Sequence, residues 1–321
     1  MALTINSDVE RLVVVSYNLH GYNQGFVGLR DLSESFGPNV VMIQEHWLSS
    51  DNLSKLCDIS SNYFLFGSSA MDERLSHGPL IGRPYGGTAM LVKKSLTPVT
   101  KTLLTAERYC VISVANWLLI NVYLPSSGAS NRREIYSETL HEINSVIQLY
   151  PDKSYLIGGD FNSDLCGNDF AACIVKDFMT NNDLHRLDVL YPVGSRNTYI
   201  NESLNVASCI DYFLTNNKDE TVGFNVIDLE LNLSDHQPIL AVCRYKRAVT
   251  CSNIKPVANV TYLRWDHAPL DQYYDLTRIS LQPIMDEINS VLDFSVVMST
   301  EQIELLYNAV VAALKQSADQ C

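Results

Sequence analysis

Short apolar runs alternate with longer amphipathic stretches along the first 245 residues of the chain. A short apolar run bounded by turn-forming residues is typical of a buried strand, whereas apolar residues three or four positions apart are typical of a helix. The runs predict strands at 11–17, 39–44, 86–94, 154–159, 209–216 and 236–245, and a pair of strands within 108–125 that turns near residues 115–116. Helical spacing predicts helices at 25–36, 51–60, 131–149 and 168–180.

The order of these elements indicates the fold class. Neighbouring strands joined by short turns favour antiparallel pairing, and no glycine-rich loop of the dinucleotide-binding or P-loop kind follows a strand. We therefore expect an α/β (α+β) fold in which two mostly antiparallel sheets pack together with helices on their outer faces. Such a four-layered α-β-β-α sandwich fits the pattern better than a doubly wound parallel sheet.

A change of pattern divides the chain into two predicted domains. Residues 1–245 carry the predicted strands, whereas 246–260 has mixed composition and weak periodicity. Farther on, residues 299–302 offer a helix N-cap, and apolar residues recur at helical spacing over 303–314. We interpret 246–321 as a linker and helical connector that is too short for a sizeable core of its own.

Composition adds three expectations. The formal net charge of −13 leans away from a nucleic-acid partner, because phosphate binding usually leaves a basic footprint, although a metal site also concentrates carboxylates. The eight cysteines form no CxxC pair, so we interpret them as reduced thiols of an intracellular protein. We expect neither a signal peptide nor a membrane span, since no apolar run reaches about 18 residues.

Residues that carry chemistry stand where predicted strands end. The stretch YLIGGDFNSD, Tyr155 to Asp164, runs from an apolar strand through two glycines to Asp160 and Asn162, whose alternate positions let both side chains share one pocket. On its own this stretch also fits a turn capped by Asp and Asn side chains. A rim of polar residues at several strand ends is where sheet proteins build sites. The other residues at such ends are Asn18, Glu45, Tyr123, Thr198, Asp211, Ser234, Asp235 and His236.

These blocks resemble the endonuclease/exonuclease/phosphatase superfamily, which includes DNase I, abasic-site endonucleases, phosphoinositide 5-phosphatases and neutral sphingomyelinases. The matching residues occur in the family's order and span roughly residues 11–245. Motifs such as GDFN and SDH are weak alone, but six blocks in one order, each at a strand end, make a specific signal. The resemblance implies a DNase I-like sandwich, here followed by a helical C-terminal tail.

Closer still, the chain resembles the endonuclease domain of a non-LTR retrotransposon polyprotein. The blocks SYNLHG, VMIQEHWL, GGTAMLVKKSL and VYLPSSG carry this likeness, and so does the tail sequence LRWDHAPLDQYYDLTR. In such polyproteins a connector leads from the nuclease to a reverse transcriptase. The catalytic motif of a reverse transcriptase is absent from the sequence, so we interpret the chain as nuclease plus connector and expect a downstream reverse transcriptase domain as a partner.

The resemblance implies hydrolysis of a phosphodiester with Mg²⁺, for which Mn²⁺ is the expected substitute. Glu45 is the expected metal ligand, since a hard carboxylate suits Mg²⁺, with Asn18 beside the ion and Asp235 on the metal side. Asp160 orients or deprotonates the attacking water, or serves as a second metal ligand, and Asn162 holds a phosphate oxygen.

The remaining candidates act on the phosphate. His236 stands against the scissile phosphate as imidazolium, Asp211 accepts its other ring N–H, and Tyr123 donates its hydroxyl to the phosphate. Thr198 and Ser234 are weaker candidates, as phosphate contacts or as supports of the site. Candidate contacts to the DNA backbone, for which ordinary solvated basic pairs are an equal alternative, are Arg132, Arg133, Lys93 and Lys94.

Three functions follow from this set. The first is a DNA endonuclease that nicks one strand and leaves a 3′-hydroxyl, acting as a monomer and, because of its substrate, in the nucleus. The second keeps the fold but hydrolyses a phosphoinositide or sphingomyelin head group, although no dense basic run or added apolar loop supports it. The third is an inactive retroelement-derived binding protein, which the complete set of primary site residues disfavours.

One residue departs from the family pattern. Some abasic-site enzymes carry an acid at the position of His20, and this departure weakens an abasic-repair function more than a nuclease function.

Overall fold

The computed structural model describes residues 9–78, 80, 82–194, 197–246, 269–293 and 299–320 of the chain. By internal contacts the chain divides into two compact units, Met1–Thr250 and Cys251–Cys321. The predicted linker at 246–260 lies, from residue 247 onward, outside the described residues. The assignment of the two units as a nuclease domain and a connector therefore stays a prediction.

The strands of the first unit form two large sheets and one small one. In chain order they are β1 (Val9–Asn18), β2 (Val40–Gln44), β3 (Tyr63–Ser68), β4 (Thr88–Lys93), β5 (Thr100–Thr105), β6 (Tyr109–Val114), β7 (Trp117–Tyr123), β8 (Ser154–Asp160), β9 (His185–Arg186), β10 (Tyr199–Asn201), β11 (Val206–Ser208), β12 (Asp211–Thr215), β13 (Thr221–Val226) and β14 (Ile239–Lys246).

Both large sheets are mostly antiparallel. The first has the strand order β13-β14-β1-β2-β4-β3, the second has the order β5-β6-β7-β8-β12-β9, and β10 pairs with β11. Among the described pairs, β1 with β2 and β7 with β8 are parallel, and the others are antiparallel. This arrangement confirms the predicted pairing and leaves one parallel pair near the centre of each sheet.

Helices cover the outer faces of the two sheets. In the first unit the helices are α1 (Tyr22–Phe36), α2 (Asp72–Ser76), α3 (Arg132–Gln148), α4 (Phe170–Asn181) and α5 (Leu187–Leu190), and in the second unit they are α6 (Leu270–Asp293) and α7 (Thr300–Asp319). One apolar cluster, which includes Met42 and Phe213, lies between the sheets. A second packs the first sheet against α1, and a third packs the second sheet against α3 and α4. The four-layered sandwich is therefore confirmed.

Most predicted elements match the structure, and the differences have a physical cause. The helix predicted at 51–60 is a 3-10 helix, Ser50–Ile59. The unpredicted strands β3, β5, β9 and β13 lie at the edges of the two sheets, where partly exposed faces leave a mixed hydrophobic pattern. By contrast β2 is buried along its whole length between two covered faces, so it reads as one continuous apolar run.

The second unit contains α6 and α7. Helix α7 begins with a capping box, since Ser299 Oγ accepts from the Gln302 backbone N–H and the Gln302 side chain accepts from the Ser299 N–H. The N-cap predicted at Ser299 is confirmed. Within the described part of the chain, neither these helices nor those of the first unit are long and apolar enough to cross a membrane.

Candidate active site

Strand register brings the predicted site residues to one edge of the sandwich. Asn18 is the last residue of β1, which runs parallel to β2, and Glu45 directly follows β2. In the second sheet Asp160 pairs with Tyr123 on one side and with Asp211 on the other. The two sheets meet at these ends, where Asn18 Nδ2 donates to Asp160 Oδ2 at 2.9 Å.

Three of these residues form a buried group, here called the inner cluster: Asp160, Asp211 and His236. His236 Nδ1 lies 2.9 Å from Asp211 Oδ2, and His236 Nε2 lies 3.9 Å from Asp160 Oδ2. Their exposed fractions are 0% for Asp160, 3% for Asp211 and 5% for His236. Charges this deep must be paired within the protein, and here each carboxylate faces the imidazole.

The inner cluster shifts the pKa of its own members. Burial lowers the pKa of His236, but the charges of Asp211 and Asp160 outweigh burial and raise it to about 10. Burial and the neighbouring Asp211 carboxylate raise the pKa of Asp160 well above its ordinary value, and His236 opposes this shift. His236 is thus an imidazolium at neutral pH, held between two acids.

The turn after β8 explains the sequence GGDFN. Gly159 has φ +145°, and a Cβ there would lie 1.9 Å from the Val122 carbonyl oxygen, so only glycine allows β7 to approach this closely. Asn162 has φ +48° and folds back on Asp160. Its backbone N–H donates to Asp160 Oδ1 at 2.8 Å, and its Nδ2 donates to Asp160 Oδ2 and to the Leu124 carbonyl, both at 2.9 Å. Asn162 therefore orients Asp160, and its predicted phosphate contact requires one of these bonds to be exchanged.

Glu45 lies at the open side of the inner cluster. It is half-buried, with φ +52°, and Oε1 accepts from Asn18 Nδ2 at 3.1 Å while Oε2 accepts from Trp47 Nε1 at 3.1 Å. Asn18 Oδ1 already accepts the His20 backbone N–H at 2.9 Å. The Asn18 amide thus holds the Glu45 and Asp160 carboxylates toward each other, and its role as a direct metal ligand stays a prediction.

Two groups of acids could hold a cation. The inner cluster brings ligand atoms of its three members within 4.8 Å of one another. Because His236 is protonated there, its ring repels a cation, whereas Glu45 and Asp160 offer hard oxygens beside one shared amide. The donor set on the Glu45 side therefore fits Mg²⁺ or Mn²⁺ better than the inner cluster does.

Tyr123 faces the same carboxylates. Burial, followed by the charges of Glu45 and Asp160, raises the pKa of its phenol, so the hydroxyl stays protonated and can donate. The Arg108 guanidinium lies 5.5 Å from the centre of the Tyr123 ring. The predicted donation of this hydroxyl to the phosphate stays a prediction.

Thr198 and Ser234 support the site from within the protein. Thr198 Oγ1 accepts the backbone N–H of Asp211 at 2.9 Å and that of Ile210 at 3.1 Å. Ser234 Oγ donates to the Asn18 carbonyl at 2.8 Å and accepts the His236 N–H at 3.1 Å. Both residues are buried and hold backbone N–H groups of Asp211 and His236, and their predicted roles at the site stay predictions.

A second group of side chains, here called the outer cluster, surrounds Glu45: His20, Trp47, Arg83 and Asp235. Asp235 Oδ1 lies 2.6 Å from His20 Nδ1 and 3.9 Å from His236 Nε2. Burial raises the pKa of Asp235, but the hydrogen bond to His20 and the charge of His236 lower it by more. Asp235 therefore stays ionised beside the inner cluster, where its predicted role on the metal side remains a prediction.

A family model described as the Endonuclease/Exonuclease/phosphatase family matches residues 15–236, a range that contains every strand-end residue described above. The chain belongs to this family. The match starts within β1 and ends at His236, so it covers the whole second sheet and leaves out β14 and the start of β1 in the first sheet. No curated protein matches the chain.

Solved structures share the family fold. AP endonuclease LMAP from Leishmania major is 16% identical, with a TM-score of 0.57 over 73% of this chain and 88% of that one. The endonuclease domain of TRAS1, a telomere-specific non-LTR retrotransposon, is 17% identical, with a TM-score of 0.56 over 74% and 100%. The 3′ phosphatase NExo from Neisseria, bound to product DNA hairpin, is 16% identical, with a TM-score of 0.55 over 72% and 98%. At these identities the likeness shows the DNase I-like fold.

The four basic residues predicted to contact DNA have different surroundings in the structure. Arg132 has 12% of its side chain exposed, donates to the Pro125 and Asn162 carbonyls at 3.1 and 2.7 Å and pairs with Asp169, so it braces the turn that carries Asn162. Arg133 is exposed on α3. Lys93 donates to the Gly37 carbonyl at 2.7 Å, away from the site edge, and Lys94 is exposed. Contacts of these residues to DNA stay predictions.

Sequence reasoning missed side chains that lie on loops. His46 is fully buried between Glu45 and Trp47; its Nδ1 accepts the Leu48 N–H at 3.0 Å, so Nε2 donates to the Ser68 carbonyl at 3.1 Å. Burial lowers the pKa of His46 to about 4, although Ser68 opposes the shift. His46 is therefore a neutral brace of the loop that presents Glu45. His46 stands in the motif QEHW, but the hydrophobic pattern around it does not distinguish a buried histidine from an exposed one.

Proposed function

We propose that the protein is a metal-dependent DNA endonuclease that nicks one strand and leaves a 3′-hydroxyl. The observation that carries the proposal is the imidazolium of His236, held by Asp211 and facing Asp160, beside the half-open carboxylate of Glu45. An anionic phosphodiester needs positive charge on the reacting phosphate and a base on the attacking water. His236 supplies the positive charge, and Asp160 supplies the base, beside the carboxylate of Glu45.

Glu45 is the residue that would hold the cation, with Asn18 fixing its carboxylate and Asp235 adding charge on the same side. When bound, Mg²⁺ or Mn²⁺ neutralises phosphate charge and polarises the P–O bond. Few protein carboxylates are needed, because Mg²⁺ keeps several of its waters. The Glu45–Trp47 hydrogen bond leaves the second carboxylate oxygen oriented before any ligand arrives.

Asp160 would orient the attacking water and take up its proton. Burial and the Asp211 charge raise the pKa of Asp160, which makes its carboxylate a stronger base than a free one, and the two donors of Asn162 keep it in one orientation. His236 Nε2 would donate to a phosphate oxygen, since Asp211 already occupies Nδ1. Tyr123 would donate its phenol to a further oxygen. General acid–base help of this kind contributes about 10²–10⁴-fold in rate.

DNA is the proposed substrate because solved structures with the same fold include proteins that act on DNA. One solved relative is a phosphatase bound to a product DNA hairpin, and another is the endonuclease domain of a retrotransposon. We further propose a target-site nuclease of that retrotransposon kind, acting in the nucleus as a monomer upstream of a reverse transcriptase. The blocks SYNLHG, QEHW and GGDFN support this finer assignment.

A supercoiled-plasmid relaxation assay tests the proposal. With Mg²⁺ the protein should convert supercoiled plasmid to the nicked form, and EDTA should stop the conversion. A primer-extension reaction on the nicked product should succeed without end repair, because the 3′ end carries a hydroxyl. Folded protein that leaves the plasmid intact but releases phosphate from inositol phosphates would instead assign the head-group phosphatase function.

A further inference from the structure

The loop that precedes β4 lies against the loop that follows β2. The backbone N–H groups of Glu45 and Trp47 donate to the carbonyls of Gly87 and Gly86 at 3.0 and 3.1 Å, which extends the β2–β4 pairing beyond the strand ends. Arg83 stands three residues before Gly86. The topology therefore delivers an arginine to the Glu45 side of the site.

Two outer-cluster side chains fix the position of Arg83. Its guanidinium carbon lies 4.3 Å from the centre of the Trp47 ring, which is within the range of a cation–π contact. Arg83 Nη2 lies 2.8 Å from His20 Nε2. Arginine can only donate, so His20 Nε2 accepts and the ring proton stands on Nδ1, where it is donated to Asp235.

Arg83 has no acid of its own. Arg108, Arg132, Arg186, Arg244 and Arg278 each approach a carboxylate within 4.0 Å. Among the described residues Arg83 makes no such ion pair, although it is exposed at the edge of a site rich in acids. Arg83 is therefore an exposed cation that contacts an aromatic ring and a histidine and has no carboxylate partner among the described residues.

We propose that Arg83 binds a backbone phosphate of the nucleic-acid substrate next to the scissile bond, pre-positioned by Trp47 and His20. The proposal rests on the proposed function, since it assumes that a phosphodiester chain crosses this edge. A planar guanidinium matches a phosphate with two parallel hydrogen bonds, and a stacked guanidinium loses little conformational freedom on binding. The Trp47 indole also donates to Glu45, so one ring positions the cation ligand and the phosphate-binding arginine.

Arg30 supplies a matched control. It is exposed on α1, and its guanidinium lies 6.0 Å from the centre of the Phe26 ring, an arginine–aromatic pair on the outer face of the first sheet. Arg83→Ala and Arg30→Ala remove the same charge from the same unit. If DNA binding weakens in Arg83→Ala but not in Arg30→Ala, the effect comes from the position of Arg83 and not from the change in net charge.

The experiment measures duplex binding by fluorescence anisotropy with EDTA present, over a series of salt concentrations, and steady-state nicking with Mg²⁺. Arg83→Ala should raise Kd about tenfold and lower the slope of log Kd against log salt by about one phosphate contact. KM should rise while kcat changes by less than about threefold, because the contact is to a non-reacting phosphate. Arg83→Lys should recover part of the affinity, since it keeps the charge but not the fork.

Two failures are distinguishable. Wild-type protein that neither binds nor nicks duplex DNA overturns the proposed function itself. Wild-type protein that binds and nicks, with Arg83→Ala equal to Arg30→Ala in Kd, salt slope and KM, overturns the role of Arg83 and leaves the nuclease standing.

Discussion

The inner and outer clusters stand side by side but satisfy their charges in different ways. In the inner cluster, residues with at most 5% exposure pair with one another, and Thr198 and Ser234 fix the backbone of Asp211 and His236. In the outer cluster, His20 and Asp235 keep 30% and 24% of their side chains exposed, and Arg83 is open to solvent. The inner cluster pairs its charges internally and leaves His236 Nε2 at 3.9 Å from its nearest carboxylates, whereas the outer cluster keeps exposed donors and acceptors.

Under the proposed function, this difference predicts different catalytic roles for the two clusters. A buried group of paired charges cannot reorganise much, which suits residues that must meet the developing charge in a fixed geometry. An exposed, partly paired group suits the capture of a cation and of an extended substrate. We therefore expect inner-cluster variants to lose rate and outer-cluster variants to lose affinity.

Asp160→Asn should show the largest effect on rate. Nicking should fall by about 10³-fold or more, because an amide cannot take up a proton from water. Stability should fall as well, because the amide nitrogen would face N–H donors of Asn18 or Asn162 and the buried His236 would lose one of its facing charges. Single-turnover nicking and thermal melting measure both. Asp177→Asn, exposed on α4, is the control, and nicking within a few-fold of wild type would contradict the assigned role.

Glu45→Gln should act through the cation. The concentration of Mg²⁺ that gives half-maximal nicking should rise by about 10²-fold, because the amide keeps the shape but removes the charged ligand. Metal titrations of the nicking rate, with Mn²⁺ binding followed by electron paramagnetic resonance, provide the measurement. Glu34→Gln on the exposed side of α1 should leave the titration unchanged. Equal metal dependence in Glu45→Gln and wild type would move the cation to the inner cluster.

Burial of His46 should make the stability of the folded protein fall at acidic pH. Folded protein keeps His46 neutral down to a pKa of about 4, whereas in the unfolded chain it takes up a proton near 6.5. The unfolded state therefore binds the proton first, and stability is lost as pH falls from 6.5 toward 4. Near pH 5 the loss should be about 2 kcal/mol. Urea unfolding at several pH values should show a flatter dependence for His46→Gln, and an identical slope in both proteins would contradict this account.

Thr198→Val should have the smallest effect. It leaves the backbone N–H groups of Ile210 and Asp211 without an acceptor, which should lower the free energy of unfolding by about 1 kcal/mol. Thr198→Ser keeps the hydroxyl and should remain close to wild type. A loss in the serine variant equal to that in the valine variant would show that packing, and not the hydrogen bonds, sets the contribution of Thr198.

The same comparison shows what the sequence could predict. Inner-cluster residues stand at strand ends, and these are visible in the sequence because an apolar run stops at Asp160 and others begin at Asp211 and just after His236. Four layers also followed from the pattern, because strands covered on both faces read as continuous apolar runs. Edge strands did not, since their exposed faces carry mixed residues.

The outer cluster was visible only in part. Asp235 lies in a recognisable motif, but Trp47 and Arg83 belong to loops far apart in sequence and meet because the β2–β4 pairing continues past the strand ends. The hydrophobic pattern along the sequence cannot predict a contact between two loops of this kind. His20 looked like a departure from a related pattern, and the structure gives it a partner on either side, Asp235 and Arg83.

The central claim is that His236 meets the reacting phosphate as an imidazolium, and one paired measurement tests it most directly. Single-turnover plasmid nicking with Mg²⁺ is compared between His236→Ala and His185→Ala, since His185 pairs with Asp183 at 3.5 Å away from the site. We predict that His236→Ala loses at least about 10²-fold in rate while still binding DNA, and that His185→Ala nicks like wild type. Nicking by folded His236→Ala at the wild-type rate would contradict the account.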